Sequence, residues 1–188
     1  MILASQSPRR RDLLVQAGRT DFIVRPAPGA EMEAGDMPPA EAVREIARSK
    51  AHQVAETASP GDLILAADTM VCLEGALLGK PRDPEEAASM LRRLSGRRHT
   101  VYTGVAMHLD GRELAVTEAA DVFFRELTDQ EIFTYVATGE PMDKAGAYGL
   151  QGRAGAFVRR IEGDVTAVIG LPLYRVVLLA REMGVTLF

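Results

Sequence analysis

The sequence predicts a mixed α/β fold, because helical and extended patterns alternate along the chain. Across residues 40–56, apolar side chains recur every three or four positions, which indicates an amphipathic helix. Residues 63–73 are apolar and rich in Ile, Leu and Val, which predicts a strand buried on both faces. The Asp110–Gly111 dipeptide favours a tight turn between two further extended segments.

The remaining elements are predicted from capping signals and helix breakers. Ser or Asp before Pro favours a helix start, and Gly favours a helix end. Pro and Gly cluster between Arg25 and Pro39, which predicts a loop. Helices are predicted from Pro8 to Gly18, from Asp83 to Gly96, from Thr128 to Gly139 and from Pro172 to Met183, with strands at 100–109, 113–124 and 156–161.

Length and composition indicate a single domain over residues 1–188. The chain of 188 residues is 47% hydrophobic, which is enough to bury a core. Its formal net charge of -4 disfavours broad nucleic-acid binding, because the molecule as a whole repels a polyanion. The single cysteine, Cys72, excludes an internal disulfide. With no signal-peptide pattern and no apolar run as long as a membrane span, a soluble cytoplasmic protein is expected.

Three arginines occupy the first turn of the first predicted helix, where positive charge is unfavourable. Arg9, Arg10 and Arg11 follow Ser7 and Pro8. A helix N-terminus carries about half a positive charge, so the arginines are repelled unless an anion lies among them. Helix N-termini commonly bind phosphate, which favours a phosphate site. The alternative is that the side chains extend into solvent or pair with distant carboxylates.

Another unusual charge lies within the apolar strand. Asp68 interrupts the apolar run between Leu63 and Cys72. A buried carboxylate is unfavourable unless a cation, a metal ion or hydrogen-bond donors compensate it. Asp68 is therefore the strongest candidate for a catalytic residue. The alternative is an aspartate at a strand end that binds a neighbouring loop.

Two lysines add to the positive charge expected near Asp68. Lys50 lies four residues after Ile46 and shares the apolar face of its helix, so it points to the core or to the rim of a cleft unless its stem extends to solvent. Lys80 lies between a glycine and a proline, and the proline restricts the backbone there. Together with the arginines, these lysines are expected to form a positive collar for a polyphosphate.

Glycine recurs at every third position between Gly146 and Gly155. This spacing allows backbone amides to approach a ligand, and Gln151 within it is expected to read a polar edge such as that of a base. The segment has neither the GK[ST] ending of a Walker A motif nor a GxGxxG fingerprint. Both of those nucleotide-binding classes are therefore excluded.

Six short segments match one known family in order and spacing. They are SQSPRRRDLL at 5–14, AADTMV at 66–71, GKPRD at 79–83, LSG at 94–96, TGEPMDKAGAYGLQG at 138–152 and GLPL at 170–173. In these segments the chain resembles the Maf family of nucleoside triphosphate pyrophosphatases. The resemblance implies hydrolysis of a nucleoside triphosphate to its monophosphate and diphosphate. It also implies an elongated, twisted mixed sheet flanked by helices, with two lobes around a central cleft.

The resemblance implies roles for individual residues. It assigns the catalytic acid or base to Asp68, and it leaves Arg11 as a solvated helix residue without a role in the site. It assigns substrate binding to Ser7, Arg10, Lys50 and Lys80.

Three further positions resemble the branch of the family that hydrolyses dTTP and UTP. They are Arg9, Thr69 and Gln151. An Arg and a Gln can hydrogen-bond the carbonyl and imide edge of a pyrimidine. The alternative substrates are 7-methylguanosine triphosphate, for which an aromatic residue is expected at position 9, and other modified nucleotides.

The resemblance also implies a divalent metal cation, Mg²⁺ or Mn²⁺. Asp68 would either deprotonate the attacking water or hold the metal. The family's loop acid falls on Glu31, with Glu33 as an alternative because Ala30 and Met32 depart from the family pattern. Glu31 and Asp68 are therefore the candidate metal ligands.

A non-enzymatic function is the alternative from a different class. The basic cleft could bind nucleotide or nucleic acid in a regulator of septum formation, an association that the resemblance carries. The negative net charge disfavours extended binding to nucleic acid, and Asp68 would repel a phosphate without a metal. A homodimer is expected from the resemblance, and no membrane association is expected.

Overall fold

A computed structural model describes residues 1–30 and 32–187, and in them the fold is mixed α/β. The strands described are β1 (Ile2–Leu3), β2 (Ile23–Val24), β3 (Ile64–Leu73), β4 (Ala76–Leu78), β5 (Arg98–Leu109), β6 (Arg112–Phe124) and β7 (Val158–Glu162). They form one seven-stranded sheet in the order β2-β1-β3-β5-β6-β7, with β4 paired to β3. β1 is parallel to β2 and β3, whereas the β3–β4 and β6–β7 pairs are antiparallel, so the sheet is mixed as predicted.

Helices account for most of the remaining chain. They are α1 (Pro8–Gln16), α2 (Pro39–Ala55), α3 (Pro84–Leu94), α4 (Asp129–Val136), α5 (Val165–Ile169) and α6 (Leu173–Glu182). Three 3₁₀ helices cover Glu140–Asp143, Ala145–Ala147 and Arg153–Phe157. In the part of the chain that the structure describes, no helix combines the length and the apolar character needed to cross a membrane.

The long elements are confirmed where the predictions placed them, because local signals determine their ends. The Asp83 carboxylate accepts a hydrogen bond of 2.7 Å from the Glu86 amide at the start of α3. Thr128 and Glu131 form a reciprocal capping box at the start of α4. The β5–β6 hairpin turns at Asp110–Gly111, where φ is positive at both residues, as a tight primed turn requires.

Four short strands and helices were not predicted, namely β1, β2, β4 and α5, and neither were the three 3₁₀ helices. β2 has two residues and β4 has three, too few for a hydrophobic period to be visible. Their extended form depends on pairing with β1 and β3. Ser7 occupies the N-cap position of α1, as predicted, although its side chain forms no capping bond among the described residues. Its amide donates to the Ser5 hydroxyl at 3.2 Å.

The chain divides into two compact units, each assembled from separate segments. The first unit comprises Met1–Asp68, Thr103–Glu118 and Gly170–Phe188. The second unit comprises Thr69–Tyr102 and Ala119–Ile169. Candidate site residues occur in both units, and the two sets are described separately below.

In the first unit, α2 packs against the sheet at Gly104 of β5. A Cβ atom at Gly104 would lie 2.1 Å from the carbonyl oxygen of Val43, so only glycine permits this approach of helix to strand. Ala47, Ala51 and Val54 of α2 are fully buried in the core of this unit. The small residues and the glycine therefore fix the position of the helix that carries Lys50.

In the second unit, an aromatic cluster lies in the core. His99, Phe124 and Tyr148 contact one another edge to face, with ring centroids 4.9 to 5.4 Å apart. His99 Nε2 and the Tyr148 hydroxyl share a hydrogen bond of 2.8 Å. Burial lowers the pKa of His99 from 6.5 to about 4, with a smaller opposing effect from Asp121, so the ring is neutral near pH 7.

Candidate active site

A buried ion pair joins Lys50 and Asp68 in the first unit. Asp68 is the fifth residue of β3 and follows four buried strand residues. Lys50 Nζ donates a hydrogen bond of 2.7 Å to Asp68 Oδ1. Only 17% of the Lys50 side chain and 12% of the Asp68 side chain are accessible to solvent. The structure therefore supplies the cation that the sequence requires beside this carboxylate.

This pair also determines what Asp68 can do chemically. A carboxylate can accept a proton or bind a cation. The contact uses one oxygen of the carboxylate, and the charge of Lys50 fixes the side chain in position. Lys50 lies on the buried face of α2 and points inward. Its side chain does not extend to solvent, so the periodicity of the helix predicted its direction.

Arg10 is fixed at the start of α1 by contacts with distant parts of the first unit. Its Nε donates to the Gly170 carbonyl at 2.8 Å, and its Nη1 donates to the Ser5 hydroxyl at 3.0 Å. Ser5 is 6% exposed and also accepts from the Ser7 amide. Ser5 and Gly170 thus orient the guanidinium that the sequence suggested as a phosphate ligand. Neither was predicted to have that role, although both lie in segments that match the family.

The other two arginines of α1 differ from Arg10. Arg11 is exposed and pairs with the adjacent Asp12 at 3.1 Å, as the alternative reading of the cluster expected. Arg9 is half-buried at the second position of the helix. Arg10 and Arg11 therefore differ, because Arg10 contacts a distant part of the chain whereas Arg11 pairs with its neighbour in the helix.

The second unit holds the other candidate residues, Lys80, Gln151 and Thr69. Lys80 is exposed and directly follows Gly79, whose carbonyl accepts a hydrogen bond of 3.0 Å from the Gly146 amide. This bond ties the backbone beside Lys80 to the glycine-rich segment. Thr69 is half-buried on β3, next in the chain to Asp68.

The glycine-rich segment packs on side chains of its own unit. At Gly146, a Cβ atom would lie 3.0 Å from Val71, and at Gly152 it would lie 2.0 Å from a carboxylate oxygen of Glu140. The glycines thus make room for protein groups, and contact of their amides with a ligand stays a prediction. Gln151 is exposed in a turn within this segment, where it is accessible to a ligand.

Among the described residues, a divalent cation fits best at Asp68, with phosphate oxygens of a substrate as its other ligands. Within residues 1–30 and 32–187, no group of three or more His, Cys, Asp or Glu side chains is arranged to hold a metal ion. Mg²⁺ is commonly held by one or two carboxylates together with substrate phosphates, and Asp68 suits that role. Of the two loop acids considered, Glu33 is exposed and Glu31 lies outside the described residues.

Fold and site together define a mixed α/β protein with a buried carboxylate paired to lysine and an oriented arginine in the same unit. Such groups suit acid–base chemistry on an anionic substrate. A family model described as "Maf-like protein" matches residues 1–183, and the chain belongs to the Maf family. The resemblance found in the six sequence segments is therefore confirmed.

Relatives of known name are similar to the chain over nearly its full length. A "dTTP/UTP pyrophosphatase" of Anaeromyxobacter dehalogenans is 50% identical over 188 residues, which cover 98% of this chain and 94% of the relative. A "dTTP/UTP pyrophosphatase" of Pelotomaculum thermopropionicum is 50% identical over 186 residues, which cover 98% of this chain and 96% of the relative.

Among solved structures, a HAM1 protein from Coxiella burnetii has a similar fold. The two structures align with a TM-score of 0.52 at 15% identity, covering 96% of this chain and 98% of the other. At this identity the likeness concerns the fold alone. It agrees with the mixed sheet flanked by helices that the sequence predicts.

Proposed function

We propose that this protein is a nucleoside triphosphate pyrophosphatase that hydrolyses dTTP and UTP to the monophosphate and diphosphate. The observation that carries the proposal is the Lys50–Asp68 pair, a buried carboxylate in contact with a lysine, inside a unit that also holds an oriented arginine. Relatives at 50% identity that are named for the same reaction support the choice of substrate.

In the proposed reaction, Asp68 acts on the attacking water. The water oxygen forms a bond to the α-phosphorus, and the bond from that phosphorus to the bridging oxygen of the diphosphate breaks. The electron pair leaves with the diphosphate, and the water proton passes to the Asp68 carboxylate. Lys50 orients the carboxylate through the oxygen that it contacts.

The basic residues stabilise the charge of the triphosphate and of the departing diphosphate. Arg10 is suited to this role because Ser5 and Gly170 fix its guanidinium before any substrate binds. Lys80 is exposed and would add a further positive charge, as would Lys50. Ser7, at the start of α1, lies where its hydroxyl can approach a phosphate.

A divalent cation fits the same site. We propose that Mg²⁺ or Mn²⁺ binds Asp68 together with phosphate oxygens of the substrate, with Glu31 as a further ligand. When bound, such an ion neutralises phosphate charge and makes a bound water more acidic.

Base selection is proposed for Arg9, Thr69 and Gln151. Gln151 is exposed in its turn, so its amide can form the paired donor and acceptor contacts that a uracil or thymine edge offers.

The cytoplasm, where nucleotides are available and a lone Cys72 stays reduced, is the proposed location. A homodimer is the proposed assembly.

The direct test is hydrolysis in ¹⁸O-labelled water. The purified protein is incubated with Mg²⁺ or Mn²⁺ and with dTTP, UTP, CTP or 7-methylguanosine triphosphate, and the products are analysed by mass spectrometry. We expect equal amounts of monophosphate and diphosphate from dTTP and UTP, with the label only in the monophosphate. Label in the diphosphate, release of single phosphates, or a preference for 7-methylguanosine triphosphate would contradict the proposal.

A further inference from the structure

The turn that presents Gln151 is held at both ends by two side chains of its own unit. The Gly152 amide donates to the Gly149 carbonyl at 3.1 Å, which closes a turn with Leu150 and Gln151 at its centre. Gln151 itself is exposed. Its position therefore depends on what holds the residues on either side of it.

Glu140 holds the end of this turn. Its Oε2 accepts a hydrogen bond of 3.2 Å from the Arg153 amide, and its Oε1 accepts one of 3.0 Å from the Tyr135 hydroxyl. The carboxylate fills the space above Gly152, where a Cβ atom would lie 2.0 Å from Oε1. Gly152 has an extended backbone that other residues also adopt, so glycine is required there for space.

Lys144 contacts the beginning of the turn. The stem of Lys144 lies over Gly149, where a Cβ atom would be 2.5 Å from Cε. Lys144 Nζ in turn donates to the Glu140 carbonyl at 2.6 Å and to the adjacent Asp143 carboxylate. The two glycines that flank the turn therefore rest on two side chains from one short segment.

We propose that Glu140, supported by Tyr135, is a positioning residue that sets where Gln151 meets the base of the substrate. This inference rests on the proposed function, in which Gln151 reads the pyrimidine edge. Glu140 need not touch the nucleotide. It acts through the Gly152–Arg153 backbone, which it fixes relative to α4 and to the 3₁₀ helix that carries it.

The test compares UTP with CTP, which differ in the edge that Gln151 is proposed to read. In Glu140→Ala we expect KM for UTP to rise about tenfold with kcat changed by less than about threefold, because base binding is lost and the reacting phosphates are unaffected. The ratio of kcat/KM for UTP to that for CTP should fall by about fivefold or more. Glu140→Gln should retain most of both values, since its amide oxygen still accepts a hydrogen bond.

A second pair of variants tests the contact itself. Gly152→Ala should reproduce the effect of Glu140→Ala, because its methyl group displaces the carboxylate. Adding Glu140→Ala to Gly152→Ala should then cause little further loss, a non-additivity expected of groups in contact. Glu162→Ala is the matched control, because Glu162 is an exposed glutamate of the same unit that pairs with nearby Arg160.

Two parallel measurements separate the inference from the proposed function. Hydrogen exchange at the Arg153 amide should be about tenfold faster in Glu140→Ala, as expected when a hydrogen bond that protects it is removed. If that amide is deprotected while the UTP to CTP ratio stays unchanged, or if both nucleotides lose activity equally, the positioning role is overturned. If Gln151→Ala leaves the ratio unchanged in an active enzyme, base reading by Gln151 fails and the inference fails with it. If the wild-type protein hydrolyses neither nucleotide, the proposed function itself fails.

Discussion

Two buried polar pairs, one in each unit, differ in charge and in what they can do. In the first unit, Lys50 and Asp68 meet at 2.7 Å as opposite charges. In the second unit, His99 and Tyr148 meet at 2.8 Å as neutral groups. Buried charges lose hydration that one contact restores only in part, whereas a neutral pair needs little beyond its hydrogen bond. The charged pair is therefore the candidate for chemistry, and the neutral pair belongs to the core.

Residue type alone would have favoured the wrong pair. Histidine is the residue most often used in acid–base catalysis. His99, however, is only 2% exposed and lies among aromatic rings, and burial keeps it neutral near pH 7. Asp68 is less enclosed and lies beside a lysine, and it is the group that we propose as the base.

The largest effect on stability is expected from removing one member of the charged pair. Lys50→Met leaves Asp68 as a buried carboxylate without its lysine, and we expect a loss of about 3 kcal/mol or more in the free energy of unfolding. Urea denaturation at pH 7 measures this loss. The double variant Lys50→Met with Asp68→Asn should recover part of it. A double variant less stable than Lys50→Met would contradict the pairing.

The neutral His99–Tyr148 pair should make the free energy of unfolding depend on pH. Because the pKa of His99 is about 4 in the folded protein and near 6.5 when unfolded, the unfolded state binds more protons between those values. Its contribution to stability is therefore complete above pH 6.5 and is lost as the pH falls towards 4, by roughly 3 kcal/mol. His99→Gln, which cannot be protonated, should show a correspondingly smaller loss in thermal or urea denaturation. Equal pH dependence of the two proteins would show that His99 is not buried as a neutral ring.

A smaller effect is expected when Arg10 is replaced by lysine, which keeps the positive charge but lacks the planar guanidinium. Arg10→Lys cannot contact both Gly170 and Ser5, and a lysine is a poor substitute at such a site. We expect a loss of about 1.5 to 3 kcal/mol in stability, which is typical of a lost hydrogen bond to a charged group. KM for UTP should rise, as measured by steady-state kinetics. If the stability and KM for UTP both stay at their wild-type values in Arg10→Lys, the two contacts do not orient the guanidinium.

The smallest effect is expected at the neighbouring arginine. Arg11→Ala removes an exposed pair with Asp12, and such pairs contribute about 0 to 1 kcal/mol. Stability and UTP hydrolysis should therefore stay close to wild type. A large loss of activity in Arg11→Ala, measured beside Arg10→Lys, would mean that the first turn of α1 acts as a unit.

The sequence predicted both Asp68 and Lys50 as site residues, although not their contact with each other, because both violate a local pattern. Asp68 interrupts an apolar strand and Lys50 lies on an apolar helix face, and both observations need only a few neighbouring residues. The contacts of Arg10 could not be predicted in this way. Gly170 is 160 positions away in the chain, so no local pattern marks its carbonyl as a partner.

The glycine-rich segment shows a different limit of sequence reasoning. Its spacing indicates close approach by some group, but it does not distinguish a ligand from the protein's own side chains. At Gly152 the neighbouring group is the Glu140 carboxylate, which had no predicted role. Similarly, β2 and β4 depend on strand pairing and have no periodic pattern of their own.

The central claim is that the buried carboxylate of the charged pair removes a proton from the attacking water. Asp68→Asn keeps the size of the side chain and removes the base, so UTP turnover should fall by roughly 10² to 10⁴-fold. Calorimetry should still detect UTP binding to the folded variant. The decisive measurement is the rate of diphosphate release from UTP by Asp68→Asn. We predict near-complete loss, and release at the wild-type rate would contradict the assignment of Asp68 as the base.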